Sequence, residues 1–162
     1  MIKKLTMLAI ITFIIATLLG NIAPTFTIED IHGNELRSTV LLERGPIFLD
    51  FWHVGCRPCL AFLPHFSRFA EEFPKMTFIA VSTDPPRTRE RALSHVRSNR
   101  FKFITAFDSN RELTRLFNVT SVPHKVIINQ DGTIAYLSTG FSAGDEEKIR
   151  SMILDLRLPI ED

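Results

Sequence analysis

From Pro46 the chain runs Ile47-Phe48-Leu49-Asp50-Phe51-Trp52, apolar but for one aspartate, and then passes through His53-Val54-Gly55 to Cys56-Arg57-Pro58-Cys59. A short run of large apolar residues without helical spacing reads as a buried strand. Phe62, Phe66, Phe69 and Phe73 follow at helical spacing. A buried strand must therefore end, and a helix begin, within a few residues of the cysteines. That junction belongs to layered α/β architecture, in which strands feed helices that cover the sheet.

The rest of the chain keeps the alternation. Phe26-Thr27-Ile28 and Leu36 flank the turn-rich Asp30–Asn34 and predict a hairpin. Met76–Ser82 reads as a second buried strand, and Asp84-Pro85-Pro86 as a helix start with Asp84 as its cap. Phe103–Phe107 and Glu112–Phe117 predict a short strand and a short helix. Val126–Ile128 and Thr133–Leu137, joined through Asp131-Gly132, predict a hairpin. Asp145–Leu156 closes the chain as an amphipathic helix with Ile149, Ile153 and Leu156 on one side. Pro64 is expected to bend the helix that follows the cysteines.

Lys3-Lys4 precede an apolar run from Leu5 to Leu19. With Asn21-Ile22-Ala23 it approaches the roughly 20 residues that a tilted spanning helix needs. Small residues are badly placed for cleavage, so residues 1–22 are expected to form a retained signal-anchor, with the basic start held in the cytoplasm; a cleaved signal, leaving a soluble periplasmic or secreted domain, is the alternative. Residues 23–162 then form one domain, long enough to bury a core. The formal net charge of +1 gives no bias toward nucleic acid.

The two cysteines are the only ones, and three positions apart they close no loop of structural value. The pair is there for reactivity or for metal. At a helix start, both sulfurs fall on one face of the first turn. The first faces unpaired amides and the positive end of the helix dipole, which favours thiolate. Cys56, with Arg57 beside it, is the expected nucleophile, and the deeper Cys59 the resolving thiol. Asp50, six positions before Cys56 in an apolar strand, is a costly carboxylate to bury. It is expected to take the proton that Cys59 must lose.

Phe51-Trp52, Cys56-Arg57-Pro58-Cys59, Pro64, Val122-Pro123 and Asp131-Gly132 together resemble the membrane-anchored TlpA/ResA-type thiol–disulfide oxidoreductases of thioredoxin fold. Ala23-Pro24-Thr25-Phe26, Gly33 and Leu36 resemble that branch's extra N-terminal hairpin, and Pro86–Phe107 its helix-and-strand insertion. The resemblance implies a mixed sheet flanked by helices and a cis peptide before Pro123. It also implies that Val122 and Pro123 offer backbone to an extended substrate strand, and that Trp52 flanks the site. Three residues after the second cysteine, where the branch often has glutamate, this chain has Phe62. Gly55 stands where an aromatic is usual.

The function expected is extracytoplasmic reduction of disulfides in exported proteins, with no cofactor, no nucleic-acid partner and a membrane-embedded electron donor. The membrane itself is engaged through the N-terminal helix. A copper- or zinc-binding module using Cys56, Cys59, His53 and His124 is the alternative. A peroxiredoxin-like peroxidase is disfavoured, because Leu49 and His53 occupy the proline and threonine positions of Pro-X-X-X-Thr-X-X-Cys. Arg87, Arg89, Arg91, Arg97, Arg100 and Lys102 give the insertion a basic face.

Overall fold

A computed structural model describes residues 22–156; the expected anchor, except Ile22, and the last six residues lie outside the described range. Strands β1 (Thr27–Glu29) and β2 (Glu35–Arg37) pair antiparallel as the small hairpin, followed by α1 (Ser38–Arg44). The central elements are β3 (Ile47–Trp52), α2 (Arg57–Glu72), β4 (Thr77–Ser82), α3 (Pro86–Asn99) and β5 (Ile104–Phe107). Then come α4 (Glu112–Leu116), β6 (His124–Ile128), β7 (Ile134–Thr139) and α5 (Asp145–Asp155).

The main sheet has the order β5-β4-β3-β6-β7. β3, β4 and β5 run parallel, which requires the crossovers that α2 and α3 provide, whereas β6 and β7 return antiparallel through the Asp131-Gly132 turn. This is the expected mixed sheet between helices, with the insertion supplying α3 and the edge strand β5. The hairpin closes over that edge through a bridge between Asp30 and Ala106.

Every residue of β3 is buried, as befits a strand with neighbours on both sides and cover on both faces. Alternation divides its side chains. Phe48 and Trp52 join Phe62, Leu63, Phe66 and both cysteines on the face covered by α2, α3 and α5. Ile47, Leu49 and Phe51 join Ile28, Leu36, Leu113 and Phe117 on the face covered by the hairpin, α1 and α4. Phe66 meets Phe48, Phe78 and Phe103 with ring centroids 4.9, 5.4 and 5.3 Å away, so the cysteine-bearing helix is seated on an aromatic bed.

Pro64 lies within α2, which runs on to Glu72. Asp84 does not cap α3. Pro85 occupies the cap position, and the Asp84 carboxylate turns back to accept hydrogen bonds from the Val54 N–H (3.0 Å) and the hydroxyls of Ser82 (2.9 Å) and Thr88 (2.7 Å). Two prolines at the helix start remove donors that a cap would bind, freeing the carboxylate to tether the loop before the cysteines.

Candidate active site

The end of β3 delivers the chain into a tight turn. The Cys56 N–H donates to the His53 carbonyl (3.0 Å), and the Gly55 N–H to His53 Nδ1 (3.1 Å). A Cβ on Gly55 would meet the His53 ring at 3.4 Å, an ordinary van der Waals contact. Asp84 holds Val54 from the β4 side. Cys56 then becomes the N-cap of α2, its Sγ accepting the Cys59 N–H at 3.2 Å. The Cys59 amide at the positive end of the helix thus points at this sulfur, a setting that stabilises a thiolate once the pair is reduced.

Cys56 and Cys59 are joined as a disulfide, with Cα atoms 5.2 Å apart. The two sulfurs are unequal. Cys56 keeps 8% of its surface and Cys59 none, so only Cys56 meets solvent. The Val122–Pro123 peptide is cis, and the Val122 carbonyl oxygen lies 3.7 Å from Cys56 Sγ. The structure therefore brings together Cys56, Cys59, Val122 and Pro123. Val122 is half-buried at this surface, and the Pro123 carbonyl is occupied by the Gly140 N–H at 2.8 Å.

Trp52 is wholly buried in the cluster that holds both cysteines, with its ring 6.3 Å from His95. It offers no exposed surface, and packs in the layer that carries the disulfide. Phe62 is buried against Phe48, Phe66 and Phe141. The site in which a glutamate was conceivable is filled by aromatic rings.

Asp50 is fully buried, and neither carboxylate oxygen has a hydrogen-bond partner. Strand alternation places it with Phe48 and Trp52, on the cysteine-bearing face. Burial drives its carboxyl well above the usual carboxylate range, and the charge of Lys125 opposes that rise. Lys125 stands directly opposite Asp50 in the β3–β6 register and is itself 1% exposed. Its ammonium donates to the Gly140 carbonyl and sits 5.0 Å from the centre of the Phe62 ring. Burial lowers its pKa, while Asp50 and Asp145 draw it back up.

Lys125 is the buried charge beside Asp50 that the sequence analysis missed. The strand was expected to begin at Val126, which left the lysine in the preceding loop. The signal was present, a charge at the edge of an apolar run, the same kind that singled out Asp50.

The histidines do not converge on the sulfurs. His124 alternates onto the opposite face, its ring 6.0 Å from Phe51 and its Nδ1 3.0 Å from Thr139 Oγ1. Burial, and then the Lys125 charge, hold its imidazole below the ordinary histidine range. Among the described residues, no three His, Cys, Asp or Glu side chains are grouped to hold an ion. His53 lies at the site's rim.

A model of the AhpC/TSA family matches residues 19–137. The thiol-disulfide oxidoreductase ResA of Bacillus subtilis is 25% identical over 121 residues, covering 75% of this chain and 67% of that protein. Among solved structures, a Chlorobium tepidum protein assigned as a thiol:disulfide interchange protein DsbE superposes with a TM-score of 0.75 at 24% identity. That match covers 83% of this chain and 94% of the other. A secreted Mycobacterium tuberculosis disulfide oxidoreductase, described as homologous to E. coli DsbE, gives 0.67 at 23% identity over 81% and 96%. At these identities the two structures establish the shared fold.

Proposed function

Because the chain belongs to the AhpC/TSA family, and within it pairs a solvent-touching cysteine with a shielded one, we propose that it is a thiol–disulfide oxidoreductase reducing disulfides of exported proteins. The observation that carries this reading is the asymmetry of the pair: Cys56 at the helix mouth, beside the cis-proline loop, and Cys59 sealed behind it. A peroxidase is not favoured by the residues, since Leu49 and His53 stand where that chemistry needs proline and threonine.

In the reduced protein, Cys56 thiolate attacks one sulfur of a substrate disulfide. The S–S bond breaks, its other sulfur leaves as a thiolate and takes a proton from water, and a Cys56–substrate disulfide forms. Cys59 next gives its proton to the Asp50 carboxylate and attacks Cys56 Sγ. The second substrate thiolate leaves, and the Cys56–Cys59 disulfide is regenerated. Two electrons pass from the protein to the substrate; a dithiol donor must restore them. In this reading the backbone at Val122, whose carbonyl lies 3.7 Å from Cys56 Sγ, receives an extended substrate segment during the attack.

Residues 1–22 act as the anchor that places this chemistry outside the cytoplasm, next to a membrane-embedded donor. Support comes from the basic start and apolar run of the sequence. The intact mass of the N-terminus and its partition into membranes check this part.

The test of the mechanism is trapping. Cys59→Ala is expected to accumulate substrates disulfide-bonded to Cys56, whereas Cys56→Ala accumulates none. Trapping by Cys56→Ala instead would reverse the two roles, and no trapping by either would end the proposal. A midpoint potential close to that of strong oxidants would remove the reductive direction while leaving exchange intact.

A further inference from the structure

Two cavities of about 470 and 320 Å³ share His53, Thr83 and Arg111. The first extends to Arg87 at the start of α3. The second extends to Ser121 and Val122, whose carbonyl approaches Cys56 Sγ. Through the shared residues they adjoin as one groove, and its Val122 end lies next to Cys56.

The groove carries a net positive charge, two guanidiniums against the one Asp84 carboxylate. Among the described residues, neither the Arg87 nor the Arg111 guanidinium has an ion-pair or hydrogen-bond partner. The one carboxylate in the lining, Asp84, is 2% exposed and already accepts three hydrogen bonds. Glu112, next to Arg111 in sequence, faces a separate cavity with Thr27 and Glu29. Arg111 is also held out in the left-handed region at φ 59°, fixed by its N–H to the Asp108 carbonyl at 3.0 Å. In its neutral form His53 accepts the Gly55 N–H at Nδ1, which leaves Nε2–H as a further donor at the junction of the two cavities.

We propose that this groove selects substrates by charge: it binds the side-chain carboxylates of a polypeptide segment flanking the substrate's cysteine, using Arg87 and Arg111. The inference rests on the oxidoreductase reading and names the substrate class for that site. Two guanidiniums on a partly enclosed surface steer an acidic segment toward Cys56 and hold it there for attack. A basic segment is repelled.

The experiment uses the full chain, reduced beforehand, in single turnovers with disulfide-linked peptides. The peptides are identical except for Glu, Gln or Lys flanking the cysteine. The Glu peptide is expected to react about tenfold faster than the Lys peptide at low ionic strength, with the advantage shrinking in high salt. Arg87→Gln combined with Arg111→Gln should bring the ratio close to one. Both positions are exposed, so the variant is expected to fold. Arg111→Lys, which keeps the charge, should restore most of the preference when Arg87 is intact. Equal rates for the three peptides overturn the groove assignment and leave the oxidoreductase reading standing. A preference that survives in the double variant also overturns it, assigning the effect to Arg57 beside Cys56. Absence of reaction with every peptide overturns the oxidoreductase reading and this inference with it.

Discussion

Asp50 and Lys125 stand opposite one another on neighbouring antiparallel strands, both buried, and alternation puts both on the sheet face that carries the disulfide. Neither has the surroundings that an isolated charge requires. The carboxylate has no hydrogen bond, and the ammonium has one carbonyl and the face of an aromatic ring. A pair held at such cost is a candidate proton store, because burial raises the acid while the base limits how far it rises.

The kinetic consequence is specific to one step. Asp50→Asn removes the acceptor for the Cys59 proton, so release of the mixed disulfide should slow by about tenfold or more while its formation changes little. Lys125→Met removes the charge that favours the ionised carboxyl. Asp50 then holds its proton to a higher pH, and the pH at which release accelerates moves up by about one unit. Rapid-mixing measurement of formation and release separates the two effects. An unchanged profile in Lys125→Met would confine the lysine to a structural role.

Stability should move the other way. Replacing both partners with apolar groups, as in Asp50→Leu with Lys125→Met, removes two desolvation penalties and should stabilise the fold by about 1–4 kcal/mol at neutral pH. The pH dependence follows from the raised carboxyl. Below the unfolded aspartate pKa of 3.8, Asp50 is protonated in both states and adds no penalty. As pH rises toward and through the higher folded value, the unfolded chain ionises first and native stability is lost. The advantage of the double variant therefore widens from about pH 3.5 to neutrality. Denaturant midpoints at the two pH values check it, and a less stable double variant would contradict the penalty.

Asp84 offers a third test, away from the sulfurs. Asp84→Ala leaves the Val54 N–H and the Ser82 and Thr88 hydroxyls without their acceptor. The expected cost is about 2–3 kcal/mol, with a slower reaction of Cys56 as the loop loses its tether. Alkylation rates of the reduced protein, compared with unfolding free energies, reveal whether loop and fold loosen together.

Much of this was legible in the chain. The apolar Ile47–Trp52 run, the phenylalanines at helical spacing and the Asp131-Gly132 turn fixed local structure because each pattern is satisfied by near neighbours. The burial of Asp50 followed from its strand in the same way. What escaped depended on partners distant in sequence. Lys125 gains its meaning from register with Asp50, 75 positions earlier in the chain, and Asp84 from Val54, 30 positions earlier, whose N–H its carboxylate accepts. The Arg87–Arg111 groove required knowing that α3 and α4 begin at the same end of the sheet, which no local spacing reveals.

Gly45 makes the last prediction, on the joint between α1 and β3. A Cβ placed there would lie 2.0 Å from the Lys75 carbonyl oxygen, an impossible contact with backbone. The neighbouring Pro46 carbonyl accepts the Thr77 N–H at 2.9 Å, the first rung of the parallel ladder to β4. Gly45→Ala must push these segments apart at that rung, for about 2–4 kcal/mol. Gly33→Ala is the control: its Cβ meets nothing within 4 Å, and its φ of 84° costs only about 1 kcal/mol. Thermal unfolding followed by circular dichroism should show Tm falling about three times as far for Gly45→Ala as for Gly33→Ala. Equal losses would mean that the chain relaxes at this joint and that the close approach does not hold the ladder's start.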